Sequence, residues 1–465
     1  MIASTPKHNF TQAVALSRRT WIFSPLLAAT FAAAMAAPLH AQEAADPPEL
    51  TVEEPAFPVH GSLWARVRSR STSDQDDTDL FTNLRIDFGD VDRYGFAGRI
   101  AGVGLADLDG RDNGEFSFYG TYDSYSSRVQ GRLHLAYIDM PHKGVFDVIR
   151  LGRQQLYNTP EFAWFDGLAV EHGVRKNGDL VVGAFVGAPV RLFDLGSGND
   201  IVSGAHAEFG PWQAAHLRLD YMRFEDESLI GAGGNDLIEA KLRQAVYPGI
   251  EVSASYSNLD TRDRDMEFGL TSYGLGKDLV IRASWYELLE PQGTLANELD
   301  PFTSSTYQLN PYKQGRFLIS KGFGESLVLE AGVDARRVSN DADKAEYNHD
   351  FERYHFSSTF MDLADTGVDV TATLESLRST DTDTDTWALN LQKELTDDTR
   401  LNLGSDYSLY KYDQFLDTER DHVRSYYVGL RHAWRDNLTM DIDYVYENDE
   451  IGQYNTIRIG MRWSF

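Results

Sequence analysis

The closing residues of the chain, YNTIRIGMRWSF, restrict its fold more than any other stretch. Counting back from Phe465 in steps of two gives Trp463, Met461, Ile459 and Ile457, while the other parity gives Ser464, Arg462, Gly460, Arg458 and Thr456. Strict period-two alternation means an extended strand whose two faces meet different solvents. The two solvents are either a protein core and water, or lipid and a watery interior.

The pattern recurs from residue 57 onward. TGVDVTATLES sets Val368, Val370, Ala372 and Leu374 against Asp369, Thr371, Thr373 and Glu375. NLTMDIDYVYE sets Leu438, Met440, Ile442, Tyr444 and Tyr446 against Thr439, Asp441, Asp443 and Val445, and NLRIDFG, HLRLDYM and GIEVSASYS alternate in the same way. A soluble sandwich alternates too, but its strands are usually shorter and one sandwich rarely takes roughly 400 residues. No helical periodicity of comparable strength occurs. Past the N-terminal region no apolar run reaches the about 20 residues that a membrane-spanning helix needs.

The connections discriminate further. Walking back from Phe465, tight turns (RDN near 436, TDDT near 398, ADTG near 365, GFGES near 324, GKD near 277, YPG near 248, GPW near 211, RKNG near 176, PHKG near 142, GDVDRYG near 92) fall between long polar segments. The long segments include KYDQFLDTERD, TDTDTDT, SNDADKAEYNHD, EPQGTLANELDPFTSSTYQLNP, NLDTRDRD, FEDESLIGAGGND and STSDQDDTD. A transmembrane barrel sorts its connections in this way, with short periplasmic turns and long outer loops. The walk predicts an all-β, up-and-down antiparallel barrel of about 22 strands, within a range of about 18 to 24, because strand boundaries read from one sequence shift by a few residues. The sheet has to close, since an open edge in hydrocarbon leaves backbone groups unpaired.

The N-terminus differs from the rest. SRRTWIFSPLLAATFAAAMAAPLHA carries the basic pair Arg18 and Arg19, an apolar stretch from Trp21 to about Ala37, and small residues around a cut after Ala41, the layout of a secretory signal peptide. Residues 1–41 are therefore expected to be removed, 42–56 to form a short periplasmic segment, and 57–465 to form the barrel. Loss of Lys7, Arg18 and Arg19 takes the formal charge from -28 to -31, since -28 minus 3 is -31. So acidic a chain is a poor nucleic-acid binder. Cysteine is absent, which removes disulfides, thiolate metal sites and a covalent haem motif from this polypeptide.

The terminal aromatic on an alternating strand resembles the C-terminal strand of Gram-negative outer-membrane β-barrel proteins. That resemblance implies that Phe465, with Trp463, belongs to the signal read by the barrel assembly machinery, and that the mature chain sits in the cell outer membrane against lipid and lipopolysaccharide. A second likeness lies in RLGRQQLYNTPEFAWFDGLAVEH, where Gly152, Arg153 and Gln154 followed by Phe165, Asp166 and Gly167 resemble a segment of alginate-export-type porins.

Function has to be sought in the lumen. Only residues 42–56 separate the cut from the first strand, too few for the plug domain of the large TonB-dependent transporters. Parity assigns Arg85, Asp87, Arg218, Asp220, Glu251, Arg282, Arg316, Asp334, Arg336, Asp369, Glu375, Asp441, Asp443, Arg458 and Arg462 to the inner face. Charges of both signs in a polar wall suit a water-filled pore, and EPQGTLANELDPFTSSTYQLNPYK is long enough to fold inward and narrow it. The expectation is an outer-membrane porin for small hydrophilic solutes, without a cofactor. The alternative is a sheath around a separately encoded multihaem cytochrome. None of the 12 histidines sits in a recognisable nucleophile motif, so no enzyme is expected. The acidic runs SDQDDTD and TDTDTDT read as solvated charge, because they lack the glycine and terminal glutamate of an EF-hand.

Overall fold

The computed structural model describes residues 57–465 apart from 74–75, 110–127, 142–145, 175–179, 191–199, 229–230, 292–309, 345–347, 380–382, 414–417 and 450–451. Twenty-two strands follow one another along the chain. They are β1 (Val59–Ser71), β2 (Asp76–Asp90), β3 (Phe96–Asp107), β4 (Val129–Asp139), β5 (Val148–Leu156), β6 (Ala163–Gly173), β7 (Leu180–Pro189) and β8 (Ile201–Phe209). Then come β9 (Ala215–Ser228), β10 (Gly231–Tyr247), β11 (Ile250–Leu259), β12 (Arg262–Ser272), β13 (Leu279–Leu288), β14 (Tyr312–Phe323) and β15 (Leu327–Val338). The last are β16 (Phe351–Phe360), β17 (Val368–Ser379), β18 (Asp383–Thr396), β19 (Thr399–Asp413), β20 (Thr418–Arg435), β21 (Leu438–Asn448) and β22 (Gln453–Ser464).

Each strand pairs antiparallel with its sequence neighbours, and β1 pairs with β22, so the sheet closes. At the seam Leu63 faces Trp463, Ala65 faces Met461 and Val67 faces Ile459. The chain end is pinned there: the Gly61 N–H donates to the Phe465 carbonyl at 2.7 Å, and the Phe465 N–H donates to the Gly61 carbonyl at 3.0 Å. The Phe465 ring lies over Gly61, where any Cβ would collide with it.

Two solvents explain the alternation. One parity carries exposed apolar side chains, among them Leu84, Ile100, Phe268, Phe317, Leu374 and Ile442. Exposed aromatics border that surface at both ends of the strands. Tyr247, Tyr273, Phe323 and Trp434 mark the short-turn end, and Tyr256, Trp285, Tyr354 and Trp387 lie toward the other. An outward apolar belt between aromatic girdles is the surface a barrel shows to a bilayer. No described helix is long and apolar enough to cross a membrane.

The short connections form where their sequences predict. GDVDRYG winds into the single helical turn α1 (Val91–Tyr94), with the Asp90 carboxylate accepting the Asp92 and Arg93 N–H groups and Gly95 closing it at φ 76°. The long connections need correction. NLDTRDRD is a two-residue hairpin turn, Asp260 and Thr261, both at positive φ (51° and 70°), so β11 and β12 run almost to the tip. FEDESLIGAGGND and KYDQFLDTERD likewise belong mostly to β9, β10, β19 and β20. Beyond the membrane edge both faces of a strand meet water, so hydrogen-bonded strand continues where the apolar contrast has ended.

Candidate functional site: the inner wall and its constriction

The register places all fifteen charged residues singled out above on one parity, opposite the apolar belt, but it does not gather them equally. Asp87 accepts from Arg85 at 2.8 Å and from Arg99 at 2.5 Å. Arg218 grips Asp220 at 2.8 Å and also contacts Glu208 across the strand pair. Asp334, almost fully buried, accepts from Gln314 at 2.7 Å and from Arg316 at 3.2 Å, with Arg353 at 3.5 Å. Arg336 donates to Gln314 at 3.1 Å and stacks 4.1 Å above the Tyr312 ring and 5.3 Å from Phe351.

A second group forms beside the seam. Asp441 accepts from Arg66 at 3.2 Å, Asp443 faces Arg458, Arg458 faces Arg68, and Arg462 faces Trp64. Arg282 faces Leu318 and borders one recess with Arg316, Asp334 and Arg353, whereas Glu251 faces Thr271 and Glu375 lies between His355 and Thr386. Asp369 caps the turn before its strand, accepting the Asp362 N–H at 2.9 Å.

An apolar cluster on the inner parity went unforeseen. Ala163, Phe165, Phe185, Val202, Met222, Phe224, Leu237 and Leu259 are buried together on β6 to β11, toward the long-connection end. Phe165 lies over Gly187 and Phe185 over Gly204, glycines whose missing Cβ lets each ring lie flat on the next strand. Phe165 and Phe185 stack at 5.3 Å. The sequence holds one signal for it: LVVGAFVGAP of β7 is apolar on both parities, which an ordinary lumen wall is not.

Tyr157 to Phe162, which join β5 to β6, leave the line of the wall. The Thr159 hydroxyl donates to the Leu156 and Glu161 carbonyls, and the Tyr157 and Phe162 rings pack 5.1 Å apart. Glu161 then ion-pairs with Arg264 of β12, six strands on from β6, and Arg264 also lies 3.5 Å from Asp265. With neighbouring strands about 4.8 Å apart, that contact can form only if the segment crosses the inside of the wall. The segment expected to narrow the barrel, EPQGTLANELDPFTSSTYQLNPYK, lies for residues 292–309 outside the described residues.

The GRQ and FDG triplets pair directly, with Gly152 facing Gly167, Arg153 facing Asp166 and Gln154 facing Phe165. Arg153 and Asp166 form a two-pronged ion pair at 2.8 and 2.7 Å on the outward parity. Gln154 is fully buried on the inward one. Gly152 sits at φ +121°, and a Cβ there would strike the Ala136 carbonyl. Among the described residues no group of three or more His, Asp or Glu could hold a metal ion.

No family model matches the chain, and no curated protein matches it. Solved structures do. The siderophore receptor PirA from Pseudomonas aeruginosa aligns with a TM-score of 0.53 at 10% identity, over 88% of this chain and 80% of that one. OccK8 (OprE) from Pseudomonas aeruginosa aligns at 0.41 with 9% identity, over 88% of this chain and 98% of that one. OccK3 (OpdO) from Pseudomonas aeruginosa aligns at 0.39 with 13% identity, over 88% and 95%. At such identities the likeness is one of fold. With its closed sheet and outward apolar belt, the chain has the fold and the outer surface of a membrane-spanning β-barrel.

Proposed function

We propose that the protein is an outer-membrane channel through which small hydrophilic solutes diffuse. The observation that carries this reading is the inner parity itself: a closed wall with charges of both signs, polar from β11 round through the seam to β2. In such a wall Arg85, Asp87, Arg218, Asp220, Glu251, Arg282, Arg316, Asp334, Arg336, Glu375, Asp441, Asp443, Arg458 and Arg462 line the path, while Asp369 stands at its short-turn rim. The Glu161 segment narrows the side at β12, next to the arginines of β13 and β14. It also takes up space that a housed cytochrome would need, which favours a channel over a sheath.

Residues 1–41 direct export and are removed. Short turns face the periplasm, and Phe465 with Trp463 engages the assembly machinery. Planar-bilayer recording on purified, refolded protein tests the reading: steady, ohmic conductance is expected, and silence across salts and voltages would end it.

A further inference from the structure

The short-turn end of the lumen beside the seam carries an excess of guanidinium groups that its carboxylates do not neutralise. Arg66, Arg400, Arg431 and Arg462 border one recess of about 360 Å³ together with Trp64, Asp441 and Asp443. Arg431 stands directly opposite Arg400 on one side and Asp441 on the other. Like charges facing each other across a strand pair are destabilising, and an anion seated between them would offset that cost. Arg66 is paired with Asp441, and Arg400 with Glu394 at 2.7 Å. Arg431 and Arg462 have no carboxylate within ion-pair distance among the described residues. The two aspartates do not fill the recess: Asp441 lies over Gly460 and Asp443 over Gly429, both positions where a Cβ would meet the carboxylate. Each acid therefore lies flat against the wall, and Arg431 and Arg462 stay exposed beside the recess.

We infer that this recess is a binding site for small oxyanions, the carboxylate or phosphate group of a solute, held between Arg431, Arg400 and Arg462. A guanidinium presents forked donors that match such a group, and the field of fixed charges is stronger in a recess with low-dielectric walls than at an open surface. The inference deepens the channel reading and rests on the inner face being wet. Because the chain as a whole is strongly acidic (-28), a basic patch at one mouth is the place where an anion would dwell on its way through.

Full-length protein refolded in detergent micelles is titrated with inorganic phosphate at constant ionic strength while tryptophan emission is followed. Saturable change is expected, largely lost in Trp64→Phe, since Arg66 stacks 4.8 Å from that ring. Arg431→Gln with Arg462→Gln should weaken binding by about a hundredfold, because each of the two charge-assisted hydrogen bonds removed counts for about tenfold. Arg378→Gln, which deletes the same charge on the outward parity, should not weaken it. Asp441→Asn should tighten binding, and this gain keeps the test decisive if the double arginine variant fails to fold. Unsaturable response in the wild type, or equal affinity across all variants, would overturn the site. Micelle binding does not require an open pore. Saturable binding with a silent bilayer would therefore end the channel reading alone, and steady conductance without saturable binding would end this inference alone.

Discussion

Release of the inward segment should be visible one channel at a time. The perturbation is Glu161→Gln, which keeps the shape of the side chain and removes its charge. In the folded wall the Arg264 side chain is 11% exposed and that of Glu161 26%. Removing one partner of a fully buried pair costs about 3–5 kcal/mol, an exposed pair is worth about 0–1, and this pair lies between them, at about 2 kcal/mol. Asp265, 3.5 Å from Arg264, still balances the arginine in the variant, so the loss falls on the contact and not on an orphaned cation. At 1.4 kcal/mol per factor of ten, the ratio of released to latched segment should rise about thirtyfold. Single-channel recordings should show a wider conductance level occupied more often by that factor. Cysteines at Glu161 and Arg264, in a chain with no other cysteine, should abolish the level when bridged by a short bis-methanethiosulfonate linker, and reduction should restore it. Identical conductance histograms for wild type, Glu161→Gln and the bridged pair would refute the claim that this segment narrows the path.

Other expectations follow from parity, from the chain end and from one carboxyl outside the membrane. Ile442→Arg places a cation on the apolar belt at a cost of roughly 2–4 kcal/mol near the midplane and should impair assembly, whereas Asp443→Asn should yield a folded, heat-modifiable barrel. The opposite pair of outcomes would invert the two faces. Deleting Phe465 should lower the outer-membrane yield without blocking export, as fractionation would show; an unchanged yield would refute its role. A cysteine at Asp341, whose side chain is 91% exposed, should react with an impermeant maleimide on intact cells, while one at Asp397, in the turn before β19, should not. Burial, reinforced by the charge of Asp77, pushes the Asp109 carboxyl up to about 7 from an ordinary 3.8. Between those values the folded state holds more proton than the unfolded one, so local stability falls as pH rises through this window and is lowest above about 7. After correction for intrinsic exchange, the Leu108 amide, bonded to the Thr78 carbonyl at 2.9 Å, should exchange faster at pH 8 than at pH 5, and Asp109→Asn should remove the difference.

Alternation in segments such as Val368 to Glu375 revealed the barrel because lipid and water select opposite residues at successive positions, a strictly local signal. The tight turns were equally legible, since Gly95 or Gly249 marks a backbone state that other residues resist. Past the membrane edge that signal disappears, and the ends of β9, β10, β19 and β20 read as loop. The apolar cluster around Phe165 and Phe185 escaped because β7 is apolar on both sides and because on β9 to β11 it takes in only the strand ends, past the alternating stretch. Glu161 and Arg264 are 103 residues apart, and no local pattern announces a contact of that kind. Arg153 and Asp166 stood out as a motif, but only the pairing of β5 with β6 shows that they answer each other on the outward face.

The seam between first and last strands also sets a timetable. Its ten register positions join residues 62–71 to 455–464, the longest separation that the chain allows within its sheet. Bringing such distant ends together costs about 5 kcal/mol in loop entropy for a flexible chain of roughly 400 residues, and nothing offsets that cost until the final residue is available. Every shorter intermediate is an open sheet with two unpaired edges, which hydrocarbon will not accept. Until β22 is present the wall keeps two free edges, so a chain broken off before that strand has no sheet to close.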